Sequence, residues 1–555
     1  MKDKKSNALI EEHVPVLIVG GGIVGLSASL FLSHHGIASL LVERHPGTSV
    51  HPRARGVNAR TMELYRELDI DEAVRAAGAD LAPSMGIYQG KSLVEVIESR
   101  PRKEGRRKFP GANLFANIGP ITGSRGTQDR IEPILLAAAR KRGGDLRFHT
   151  ECVAVEQDEV EVRATVCERT SGTTYTVHAD YLLAADGANS PIRLMLGVST
   201  SGRGSLGHLL NILFQANLRE LVRAREFSLC LIERPEVRGL FTSINNSDSW
   251  VFHLSYNPTQ GEQANDFPPE RCKELLRLAL GIPEIELEIK SILPWESAVR
   301  IADTFQHGRI FLAGDAAHQM PPWGGQGANT GIADAHNLAW KLAAVLQEKA
   351  SPELLTTYDI ERRPVGYVAA EESGAAADEH GLLSMGKGLS LIRGILRRIP
   401  RLLGYGYEYA SQAIISDGTS SSKGVRRHLL SGALKLDGRP GTRAPHVWVE
   451  YQGQRISTLD VCGKSFVLLT GPDGAAWCQA ASTVAARLDV DLITHCVGPA
   501  GDLLDHKSQW KSRAGISARG TLLIRPDGFV AWRVRKQPAN IQQELEQVLT
   551  QVLCR

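Results

Sequence analysis

The stretch Gly20-Gly21-Gly22-Ile23-Val24-Gly25 constrains this chain more than any other. It places G-x-G-x-x-G at Gly20, Gly22 and Gly25, after the strand-like run Val14 to Val19 and before the helix-compatible run Leu26 to Ser33. Ala38 to Val42 then reads as a second strand leading into Glu43, 18 residues past Gly25. This order predicts a Rossmann-type dinucleotide site. Gly20 permits the tight turn, Gly22 lets a pyrophosphate approach the backbone, and Gly25 lets helix pack on strand. The helix N-terminus offers unpaired N–H groups and partial positive charge to the phosphates. A carboxylate at Glu43 suits an adenosine ribose and repels a 2′-phosphate, which argues against NADP at this primary site.

The same glycine spacing recurs at Gly202, Gly204 and Gly207, but without βαβ context, and that copy reads as a loop. The rest of the composition excludes more than it assigns. The formal net charge of +3 over 555 residues is too small to suggest a nucleic-acid partner. The eight cysteines are scattered without metal-ligand spacing, so neither a structural zinc nor a disulfide framework is expected, and the chain reads as cytoplasmic. No run is long enough to span a membrane. A basic amphipathic stretch, Leu389 to Leu403, reads as a surface helix cut by Pro400, and the basic run Arg100 to Lys108 as a solvated loop.

Two later segments repeat one design. In Tyr181 to Arg193 an apolar strand ends at Asp186-Gly187, and in Arg309 to Leu342 another ends at Gly314-Asp315. The second runs on through Pro321-Pro322-Trp323-Gly324-Gly325-Gln326-Gly327-Ala328-Asn329 into a helix from about Asn329. Three concurrent motifs in this order resemble the class A flavoprotein aromatic hydroxylases, the p-hydroxybenzoate hydroxylase-like group, over roughly residues 14 to 370. The resemblance implies FAD as cofactor and a ribityl hydroxyl bonded to Asp315. It sets Pro322 and Gly325 in the loop beside the flavin, with the N–H groups of Gly327, Ala328 and Asn329 at its N1–C2=O edge. It also makes Arg53, Arg55 and Gln128 cofactor contacts and lays Arg44 along the adenine. NADPH or NADH is then a transient co-substrate, because no second dinucleotide fold is present. His318 and His336 read as structural or solvent-facing, with no evident carboxylate partner.

The expected architecture is α/β. Residues 14–199 and 296–370 form the FAD-binding domain, and 200–295 an inserted antiparallel sheet for substrate. That sheet is read from apolar runs at His208–Leu218, Phe227–Glu233, Gly239–Ile244 and Ser249–Tyr256. Residues 371–425 read as a helical linker. Residues 440–555 resemble the thioredoxin-like C-terminal domain of phenol and aromatic polyketide hydroxylases. Cys478 has no second cysteine three residues on, so thiol–disulfide chemistry is not expected.

Together these readings predict a monooxygenase that consumes NAD(P)H and O2. It hydroxylates an aromatic, polycyclic polyketide substrate of antibiotic biosynthesis through a flavin C4a-hydroperoxide. Hydroxylation of a simple phenol and Baeyer–Villiger oxygenation remain open, as does an oligomer. No catalytic residue is assigned, since the cofactor carries the chemistry. Halogenase and serine-hydrolase motifs are absent.

Overall fold

The computed structural model describes residues 11–53, 55–81, 86–102, 118–384, 403–418 and 436–555. The strand Glu11–Val19 pairs in parallel with Ser39–Glu43 on one side and Thr174–Ala184 on the other. Asp145–Phe148 and Ile310–Leu312 extend the parallel array at its two ends. Strands so placed are buried on both faces, which is why Val16, Leu17, Ile18, Leu40, Leu41, Leu182 and Leu183 form an unbroken apolar layer. The helices Ile23–His34 and Gln326–Leu346 pack against each other on this core.

A second, seven-stranded sheet holds the Thr200–Gln215, Leu229–Arg234, Val237–Ser243, Ser249–Tyr256 and Glu288–Ala302 strands in antiparallel pairing. Three of its features lie outside the expected insertion, the first being the short edge strand His318–Gln319. Ile87–Gly90 adds a parallel edge strand, and Glu288–Ala302 runs on past residue 295. The second glycine motif is a correction: Gly202, Gly204 and Gly207 lie in the long Thr200–Gln215 strand and not in a loop. The strand carries register shifts between Ser201 and Gly204 and between Ser205 and Gly207, so the glycines mark β-bulges. Gly202 and Gly204 take the positive φ values of +127° and +71° that such kinks need.

The third sheet, with the helices Ala475–Leu488 and Ile541–Val552, forms the C-terminal domain. Its Arg525-Pro526-Asp527-Gly528 turn inserts two charges into the cofactor domain. Arg525 donates to both oxygens of Glu361 at 2.6 and 2.9 Å, and Lys341 donates to Glu361 at 2.9 Å, all fully buried. Of the linker expected to be helical, residues 375–384 and 403–418 contain no helix, while 385–402 and 419–435 lie outside the described residues. The basic stretch 389–403 lies outside them except for Leu403, and 103–108 does so entirely. No described helix is long and apolar enough to cross a membrane.

Candidate cofactor and substrate site

The three motifs meet at one end of the parallel sheet. Gly20 adopts φ +111°, and a Cβ there would overlap the carbonyl of Ala185, so the first turn abuts Asp186-Gly187. A Cβ on Gly25 would overlap Gly20 O. Gly314, at φ +60°, and Gly331 both touch Val24: a Cβ on either would come within 2.9 and 2.6 Å of its Cγ2. These contacts seat the G-D turn and the Gln326–Leu346 helix against the first helix. Gly327 faces outward, and a Cβ there would find nothing nearer than Asp315 Oδ1 and Met320 Cγ at 3.8 Å. An open lane thus runs between Asp315 and the helix N-terminus, where N–H groups are unpaired.

Asp315 is open to this lane, yet protein crowds its carboxyl so that desolvation raises its pKa, against which the charges of His318 and Arg53 act. Asp186 is likewise raised by burial; its Oδ2 accepts from Ile192 N–H at 3.1 Å, while its Oδ1 has no partner. Gly187 takes φ +88° beside it. Glu43 ends its strand as expected and accepts from Gly21 N–H at 2.6 Å and His45 N–H at 2.8 Å. Arg44 and Arg53 are exposed, and Arg55 is half-buried. Gln128 donates to Glu132 Oε1 at 2.6 Å, and Glu132 Oε2 accepts from Ser49 N–H at 2.7 Å. Pro322 and Gly325 are exposed on the loop, with Gly325 capping the helix at φ +64°, so the helix begins at Gln326. Ala328 is half-buried. Asn329 works through its side chain: Oδ1 accepts from Asn58 N–H at 2.9 Å and from the Thr61 hydroxyl at 2.6 Å, pinning the loop to the Ala59–Glu67 helix.

Buried polar atoms normally have partners. Here Thr127 Oγ1, Asp129 Oδ1, Asp186 Oδ1 and both ring nitrogens of His51 are buried without one. Such orphaned donors and acceptors, with the glycine turns and the helix N-terminus, fit a large polar phosphorylated cofactor.

The sheet supplies the opposite wall. Trp323, from the glycine-rich loop, packs with Leu209, Leu231, Leu240 and Leu382. It also lies edge-on to His253, ring centroids 6.5 Å apart. Asn211 Oδ1 accepts from Trp295 Nε1 at 2.5 Å, and the same oxygen faces His253 Nδ1 at 2.5 Å. An amide oxygen only accepts, so His253 Nδ1 carries the proton and Nε2 accepts from the Thr242 hydroxyl at 3.0 Å. His253 is therefore a neutral, fixed tautomer, and desolvation lowers its pKa to about 3. Burial likewise lowers His51 to about 4. Arg55 donates to Ser228 O at 3.2 Å and has no carboxylate partner among the described residues, so burial alone lowers its pKa to about 10.

These histidines give a pH prediction. Their folded values lie below the ordinary 6.5, so the unfolded chain takes up protons first as the pH falls. Their contribution to stability is intact above pH 6.5 and is lost as the pH falls toward 4. The melting temperature of the wild type should drop across this window more steeply than that of His51→Gln. Parallel curves would show that His51 does not titrate this way.

His318 and His336 are structural, but the expectation that they lack carboxylate partners is corrected. Both are buried and carboxylate-paired: His318 Nε2 lies 2.7 Å from Asp334 Oδ2, and His336 Nε2 lies 3.2 Å from Glu67 Oε2. Asp334 also accepts from Arg362 Nε at 2.7 Å and Gly314 N–H at 3.2 Å, so this cluster braces the G-D turn from behind. Asp334, Asn211, His253 and His51 were not foreseen as site residues, and only His51, beside the Arg53 and Arg55 stretch, carried a local signal. No group of three or more metal-ligating side chains occurs among the described residues.

Comparison with known proteins agrees with this geometry. Residues 13–373 match a family model described as FAD binding domain, and residues 437–555 one described as aromatic-ring hydroxylase, C-terminal. The chain is 38% identical to tetracenomycin A2 monooxygenase-dioxygenase of Streptomyces glaucescens, over 98% of this chain and 97% of that one. It is 39% identical to aklavinone 12-hydroxylase of Streptomyces purpurascens, over 98% and 100%. The crystal structure of aklavinone-11 hydroxylase with FAD and aklavinone superimposes with a TM-score of 0.83 at 36% identity, covering all of both chains. The chain belongs to the FAD-dependent aromatic-ring monooxygenases.

Proposed function

We propose that this enzyme oxygenates a polycyclic aromatic polyketide, taking electrons from NADPH or NADH and oxygen from O2. The observation that carries the reading is the wall facing the cofactor lane. It is built from Trp323, Trp295 and leucines, its polar groups at His253, Asn211 and Thr242 are satisfied internally, and it carries the cation of Arg55, which has no carboxylate partner among the described residues. Such a wall suits a flat apolar ring system bearing one ionisable hydroxyl. The names of the tetracenomycin and aklavinone enzymes support a substrate of this class.

FAD bound here supplies the electron and oxygen transfer. Gly20, Gly22, Gly25, Glu43, Arg44, Arg53 and Gln128 would hold its dinucleotide, and Asp186, Gly187, Gly314 and Asp315 its ribityl chain. Pro322, Gly325 and the N–H groups of Gly327, Ala328 and Asn329 would hold the ring, and the helix N-terminus would stabilise negative charge on it. Residues 14–199 and 303–370, apart from Ile87–Gly90 and His318–Gln319, make this unit, 200–302 with those two edge strands the substrate sheet, 371–425 the connection and 440–555 the C-terminal domain. Trp323 and its leucines keep water off the reacting ring. We infer that Arg55, placed among the cofactor contacts by the resemblance, instead holds the substrate oxygen in its ionised form.

Purified protein should carry a flavin absorption spectrum. Anaerobic NADPH should bleach it faster with a polycyclic phenol present, and an unchanged bleaching rate with every phenol tried would refute the reading. Arg55→Leu should keep its FAD and raise KM for the phenol by about tenfold or more, as expected for loss of a charged hydrogen bond. Loss of FAD instead would place Arg55 on the cofactor.

A further inference from the structure

The C-terminal domain brings together two thiols that are 18 residues apart in sequence. Cys478, in the first turns of the Ala475–Leu488 helix, and Cys496, on the Leu492–Gly498 strand, have their sulfurs 3.6 Å apart. The sequence has no second cysteine three residues past Cys478, and the fold instead supplies one 18 residues on. No other two of the eight cysteines are in such contact, and all eight are free. Both residues are partly exposed, so a small oxidant reaches them. The strand side is held firmly: Cys496 N–H donates to Asp502 Oδ1 at 2.7 Å, and the Thr470 hydroxyl oxygen lies 3.3 Å from Cys496 Sγ.

We propose that Cys478 and Cys496 form an oxidisable dithiol, a modification site that takes a peroxide and closes to a disulfide. One sulfur attacks a peroxide oxygen of H2O2, giving a sulfenic acid and releasing one water. The second sulfur then attacks the first, the S–S bond forms, and the hydroxyl leaves as a second water with the remaining thiol proton. Each sulfur loses one electron, and the peroxide gains two. The sulfurs must close to about 2.05 Å, which needs side-chain rotation and a small shift of the helix. Burial, followed by the neighbouring Cys496 thiol, pushes Cys478 up to about 11, so little thiolate is present at neutral pH and the reaction is slow. The pair therefore records accumulated peroxide and is not a thiol–disulfide oxidoreductase centre.

The test uses the FAD-loaded enzyme exposed to H2O2, then denatured, alkylated and digested. Two of the eight thiols should become unreactive, and one cross-linked peptide pair joining Cys478 to Cys496 should appear and vanish on reduction. Full alkylation of all eight, or a disulfide between any other pair, overturns the proposal. Independently, phenylarsine oxide, which bridges paired thiols, should protect two thiols in the reduced wild type and none in Cys478→Ser or Cys496→Ser. Equal protection in either variant also overturns it.

Discussion

Gly25→Ala is expected to give a folded but colourless protein that does not retain FAD. The added Cβ would overlap Gly20 O, and neither backbone can move aside cheaply. Gly20 N–H donates to Val42 O at 2.9 Å, and Ala185 N–H donates to Val19 O at 2.8 Å, so the turn is clamped between two neighbouring strands. Gly20 is held in turn by its φ of +111° and by the Ala185 carbonyl. Overpacking of this kind costs about 1–3 kcal/mol. Concentrated on the turn that receives the pyrophosphate, 3 kcal/mol weakens FAD binding by about two orders of magnitude. The flavin absorbance of purified protein, read with far-UV circular dichroism, checks this; full flavin content would refute the steric account.

Gly327→Ala is the sharper comparison. Its Cβ fits the protein without strain, because the nearest atoms lie 3.8 Å away. Any loss of FAD there reports the cofactor pressing on the backbone.

The cofactor unit was legible in the sequence because each of its parts is local. Gly20 to Gly25, Asp186-Gly187 and Gly314-Asp315 each follow an apolar strand, and a glycine turn at a strand end has few alternative readings. The second glycine motif misled for the same reason: spacing alone cannot separate a phosphate-binding turn from the bulges at Gly202 and Gly204, which only their pairing with Glu288–Ala302 reveals. The substrate wall was legible as an apolar sheet but not as a site. Asn211, His253 and Trp295 lie on three strands, and what makes them a unit is cross-strand register. The buried charges were the least legible. Lys341 and Glu361 sit in helices where any sequence reading places them in solvent, and their partner Arg525 lies 164 residues beyond Glu361.

That charge cluster carries the second large expected effect. Glu361 and Asp527 face Arg525 and Lys341, so the buried charges balance, and Asn337 Nδ2 donates to both carboxylates at 2.9 and 3.2 Å. Arg525→Met removes one cation and leaves the buried Asp527 carboxylate without its ion-pair partner. Breaking one partner of a buried pair costs about 3–5 kcal/mol. Replacing a whole pair costs far less, because no uncompensated charge remains. Glu361→Gln should therefore be strongly destabilising, and Glu361→Gln with Lys341→Met markedly less so, since Arg525 still pairs with Asp527. Lys341 is the cation to remove because burial already lowers its pKa to about 8. The cluster joins the C-terminal domain to the Gln326–Leu346 helix, whose N-terminus faces the cofactor lane. Arg525→Met should thus lower the melting temperature by about 3–4 °C, taking about 1 °C per kcal/mol for a chain of 555 residues. It should also loosen FAD retention. Thermal melts of Glu361→Gln, Lys341→Met and the double variant decide the matter: additive losses would show that the two charges act independently, whereas partial recovery in the double variant establishes that they are coupled.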